Sequence, residues 1–92
     1  MSVMGELARY LDALLDELER SRDPGSESLQ KALRAARPAD LAHVSPSAET
    51  ILQALEEARW TGPLSRERPE SAPDLHEAAS TLTKLCRIVL GR

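Results

Sequence analysis

The sequence predicts an all-α fold: a small four- to five-helix bundle whose long first and last helices pack together. Three observations lead there. Apolar residues recur by alternating steps of three and four near both ends, as Met4, Leu7, Leu11, Leu14 and Leu18 and then as Leu75, Ala78, Leu82, Leu85 and Val89. Each set draws an apolar seam along one side of a helix. Tyr10 and Trp60 are the only aromatic residues, so the core must be built of Leu, Ala, Ile and Val, which suits helix-on-helix packing better than a sheet. Prolines and glycines then punctuate the chain between the seams.

The first helix is expected over residues 3–22. Ala8 and Leu15 widen its seam, and Glu6, Arg9, Asp12, Asp16, Glu19 and Arg20 occupy the outer face. Asp16 and Arg20 stand four apart in the favourable order for an ion pair along the helix. Asp23-Pro24-Gly25 ends the element, because proline cannot continue the hydrogen-bond ladder and glycine accepts turn dihedrals.

A short second helix is expected over 27–36, with Ser26 as its N-cap and Leu29, Ala32, Leu33 and Ala36 facing inward. Lys31, Arg34 and Arg37 load its C-terminal half with positive charge, where the helix dipole favours it. Pro38 closes it. Residues 38–44 can form one helical turn with Leu41 and Val44 inward. Ser45-Pro46 reads as an N-cap followed by proline at the first helical position. The third helix then spans 46–60, with Ala48, Ile51, Leu52, Leu55 and Ala58 inward and Glu56 and Glu57 solvated. Trp60 is expected to cap the bundle end.

Composition changes at residues 61–73, where Pro63, Pro69 and Pro73 mix with serines and charges. This reads as an exposed connector that only Leu64 can pin to the core. The fourth helix starts near Asp74, with Asp74 and Glu77 at capping-box spacing, and runs to Leu90 before Gly91. Neither an internal repeat nor a second core is visible, and 92 residues make a single domain, 1–92.

The same reading bears on function. A net charge of −3 argues against general nucleic-acid binding, which needs clustered cations to displace phosphate counterions. No apolar run approaches the ~18 residues of a membrane span. No basic segment followed by an apolar run marks a secretory signal. One cysteine, Cys86, cannot form an internal disulfide and fits a reducing compartment. The expected location is cytoplasmic, for a soluble protein.

Candidate chemistry is sparse. Cys86 lies four residues after Leu82 and three before Val89, on the inward side, where a free cysteine behaves as a small hydrophobe. His43 and His76 share no local metal-binding spacing with a second ligand. Gly5, Gly25, Gly62 and Gly91 make no phosphate-cradling cluster. Asp12 and Asp16 stack on an outer helix face rather than in a pocket that would shift their acidity. No cofactor, metal or catalytic group is expected, and the protein is read as a non-enzyme.

Two local resemblances are to be weighed. The segment from Asp40-Leu41-Ala42 through Ser47-Ala48-Glu49-Thr50-Ile51 to Ala54-Leu55 resembles a DNA-reading helix-turn-helix. Its turn is short and lacks glycine, and Glu49, Glu56 and Glu57 against Arg59 would repel phosphates. Trp60-Thr61-Gly62 is similar to the turn tripeptide of small secreted WXG-type helical hairpins. Pro24, Pro38 and Pro46 do not permit a hairpin of two long helices here.

The expectation is a non-enzymatic protein–protein interaction module, an adaptor, recruitment or assembly domain. Its partner is another protein, with a homodimer through one seam as an option. The expected contact residues are Lys31, Arg34, Arg37, Ile88 and Leu90, with the exposed face of the first helix. A helix-turn-helix regulator is one alternative. A death-fold-like signalling domain is another, by analogy of size alone.

Overall fold

A computed structural model describes residues 3–21, 25–65 and 73–91 of the chain. All regular structure among them is helical: α1 (Val3–Ser21), α2 (Ser26–Ala35), a 3-10 turn (Leu41–His43), α3 (Val44–Thr61) and α4 (Pro73–Leu90). The four helices lie around one core in chain order, with α1 beside α2, α2 beside α3, α3 beside α4, and α4 back beside α1. The long first and last helices pack on each other, as the two seams require. The bundle measures 37 × 23 × 20 Å.

The core is aliphatic throughout. Leu7, Leu11, Leu14 and Leu18 of α1 are all completely buried. They meet Leu29, Leu33 and Ala36 from the second helix and its end, Val44, Ala48, Ile51, Leu52, Leu55 and Ala58 of α3, and Leu75, Ala79, Leu82 and Cys86 of α4. The α4 stripe corrects the sequence reading by a small rotation. Cys86 is buried as expected and Ala79 joins it in the core, while the expected Ala78, Leu85 and Val89 are only partly buried along its edge.

Two helix starts also differ from expectation. Ser26 is not a cap. It is the first residue of α2, it is buried, and its Oγ accepts a 2.9 Å bond from Gln30 Nε2. Gly25 holds the N-cap position instead, with no side-chain cap bond. Ser45 and Pro46 lie inside α3, which starts at Val44 with His43 at the N-cap position. The turn before α3 is organised by Asp40, whose carboxylate accepts from the His43 backbone N–H at 3.2 Å and lies 2.6 Å from His43 Nδ1. That side-chain contact supplies the local turn that a serine cap was expected to supply.

The ends of α3 and α4 follow glycine rules. The Gly62 N–H donates to the Ala58 carbonyl at 2.9 Å, and a Cβ at position 62 would lie 3.2 Å from Ala58 backbone atoms. Gly91 takes φ +69, the left-handed conformation that closes a helix at low cost only with glycine. Between α3 and α4, Leu64 is buried as expected and Pro63 is buried with it, so the start of the connector is tucked in rather than exposed. The rest of the expected loop, 66–72, lies outside the described residues.

Candidate interaction surfaces

The expected basic group on α2 does not form one open patch. Lys31, Arg34 and Arg37 are all exposed. However, Arg34 binds Glu19 at 2.7 Å and Arg37 binds Asp12 at 3.1 Å. Moving three residues forward, from Arg34 on α2 to Arg37 just past its end, moves seven residues back on α1, so these pairs join two antiparallel segments. Their cations neutralise α1 carboxylates and leave Lys31 as the only member of the trio without an ion pair among the described residues. On α1 itself, Arg20 pairs with Glu17 at 3.1 Å rather than with Asp16. A three-residue step serves the guanidinium as well as a four-residue step does.

The two expected contacts on α4 separate. Ile88 is 73% exposed, whereas Leu90 is half-buried and packs against the core edge. Trp60 departs most from expectation. It caps nothing: the indole is 80% exposed on the last turn of α3. Nine residues separate it from fully buried Ile51, which at roughly 100° per residue places it on the opposite side of the helix. That angle was available in the sequence. Glu56 and Glu57, one turn earlier, are also exposed.

Among the described residues, grooves run between neighbouring helices. One, of about 240 Å³, separates the start of α2 from the end of α3, with Leu29, Ala32, Ala54 and Ala58 among its lining residues and Pro63 at its end. Another, of about 250 Å³, lies between α1 and α4, lined by Tyr10, Ala13, Glu17, Asp74, Glu77, Ala78 and Thr81. Neither was legible from one helix alone, since each depends on which helices become neighbours.

The titratable groups behave as their surroundings require. Cys86 is fully buried, and burial pushes its thiol from 9.0 up to about 11. A nucleophilic cysteine needs the opposite, a lowered pKa and access. The hydrogen bond from His43 holds the Asp40 carboxyl below its usual value. That pair lies on the surface, 62% and 60% exposed, and orders the start of α3. His76 is half-buried on α4. No group of three or more metal-ligating side chains occurs among the described residues. Among the described residues, no helix is long and apolar enough to cross a membrane.

Comparison with protein-family models, with curated proteins and with solved structures finds no match to this chain.

Proposed function

We propose that this protein is a non-enzymatic protein–protein interaction module, an adaptor, recruitment or assembly domain that acts by contact. One observation carries the reading: Trp60 stands 80% exposed on a regular, packed helix. Tryptophan has the largest apolar surface of any side chain, and it is the residue type most enriched where a few contacts dominate binding energy. A rigid helix loses little entropy when such an anchor docks. Glu56 and Glu57 beside it provide the charged rim that commonly surrounds an anchor and would favour a partner with basic residues around an indole-sized pocket.

The test compares partner capture by the wild-type chain and by Trp60→Ala. Capture is expected to weaken by roughly thirtyfold or more, the scale of a dominant interface residue. Trp60 is the only tryptophan, so its fluorescence should shift to shorter wavelength as the partner binds. A partner held equally well by the variant would remove Trp60 from the interface. Turnover across a broad substrate panel, lost on changing His43, His76 or Cys86, would overturn the contact reading itself.

A further inference from the structure

The outer side of α4 carries a second stripe with the same spacing as its core stripe. Asp74, Glu77, Thr81, Lys84 and Ile88 step by three and four, and residues so spaced share one helix face. All of them are exposed except Thr81, which is half-buried. Asp74, Glu77 and Thr81 also line the α1–α4 groove with Tyr10, Ala13, Glu17 and Ala78. Ile88 lies seven residues beyond Thr81 on that same face, and Leu85 continues the partly buried edge beside it. The face is therefore acidic with an open groove at one end. At the other it is basic, with an exposed aliphatic side chain. Glu77 and Lys84 have no ion-pair partner among the described residues.

A surface of this kind is complementary to itself when turned end for end. We infer that a second copy of this chain docks on it, α4 against α4 in antiparallel register about a two-fold axis near Thr81. That register sets Lys84 of each copy within one residue position of Glu77 of the other. It brings each Ile88 to the Asp74–Ala78 end of the other copy's groove. Two-fold pairing makes every such contact twice, so modest charge pairs gain weight and like charges are doubly penalised. A parallel arrangement would instead oppose Glu77 to Glu77 and Lys84 to Lys84. The groove is bordered by Ala13 and Ala78, small side chains that leave room for an isoleucine.

This inference rests on the contact-module reading and names one partner, but it uses a face distinct from Trp60. The test is mass against concentration, by sedimentation or light scattering, from about 10 µM to roughly 1 mM. The wild-type mass should rise from 10.1 kDa toward twice that value. Ile88→Glu should shift the midpoint at least about tenfold upward. Glu77→Lys and Lys84→Glu should each do the same, and the double exchange Glu77→Lys with Lys84→Glu should restore the wild-type midpoint. These side chains lie at the surface, so helical circular dichroism should be unchanged in all four variants. A monomer at every concentration overturns the dimer and leaves the Trp60 capture result standing. A dimer that Ile88→Glu does not weaken, or that the double exchange does not restore, overturns this face and register.

Discussion

α1 and α4 begin from the same apolar spacing and end in different situations. In α1 the inward stripe is four leucines, all completely buried and flanked by partly buried Met4 and Leu15, and Asp12, Glu17, Glu19 and Arg20 are paired within the bundle. In α4 the inward stripe is Leu75, Ala79, Leu82 and Cys86, and apolar residues continue past it through Ala78, Leu85 and Val89 to exposed Ile88. What separates them is the width of the apolar arc. A narrow arc is satisfied by neighbouring helices, and charge covers the remainder. A wide arc leaves an edge that the bundle cannot cover, and that edge is available to another chain.

Truncation should break the comparison most sharply. Leu14→Ala in α1 removes a fully buried side chain surrounded on all sides, so it should cost about 3–5 kcal/mol of unfolding free energy. Leu85→Ala in α4 removes a partly buried side chain and should cost about 1 kcal/mol, near the centre of ordinary substitutions. Urea titrations of the two variants measure the difference. Equal losses would mean that the α4 edge is as tightly packed as the α1 stripe.

The same contrast explains how much could be read before the structure. The α1 stripe is legible because leucine occupies every fully buried position, with Met4 only partly buried at its start. In α4 the inward position of Cys86 is legible, but Ala79 is a weaker apolar signal than Leu85 and Val89, so spacing alone sets the stripe slightly off centre. The packing of α4 between α1 and α3, rather than side-chain size, decides which residues face the centre. Ser26 and Ser45 looked like caps by residue preference alone. Ser26 is instead buried and bonded to Gln30, and the Asp40–His43 turn displaces Ser45 from the start of α3. Of the contact surface, exposed Ile88 was legible and so was Trp60 by its angle. The groove beside Tyr10 was not, since it exists only between two helices.

Cys86 gives an intermediate effect that probes the α4 stripe through pH. The folded thiol ionises at about 11, against 9.0 for the unreacted group in water. Between those values the unfolded chain releases its proton while the folded chain keeps it. Folding stability should therefore fall as pH rises from 9 toward 11, by at most about 2–3 kcal/mol, and level off beyond that. Below pH 9 this contribution is intact. Cys86→Ala removes the group, so the wild-type minus variant difference isolates the cysteine. Thiol-specific labelling at neutral pH should likewise proceed only as fast as the chain opens. Rapid labelling of the folded protein would contradict the buried position and weaken the account of the α4 stripe.

The smallest effect belongs to the charges that stitch α2 to α1. Arg34–Glu19 and Arg37–Asp12 are short, but their side chains remain about half exposed, at 57%/57% and 56%/46%. Water and salt screen such pairs, so Arg34→Gln or Arg37→Gln should each cost only about 0.2–1 kcal/mol. The loss should shrink further in roughly 1 M salt, where the screening length is about 3 Å. A larger cost that persists in salt would mean that the arginine stems pack on α1 as well as pair with it. The comparison with α4 gives this small number its significance. α1 uses its outward carboxylates within one chain, where ordering the pair is already part of folding. Glu77 and Lys84 of α4 have no such partner among the described residues, and in the proposed dimer their pairing stabilises a contact made after folding. Salt should therefore act weakly on the unfolding of the bundle and more strongly on its association through α4, since charges at the rim of an interface govern its salt dependence.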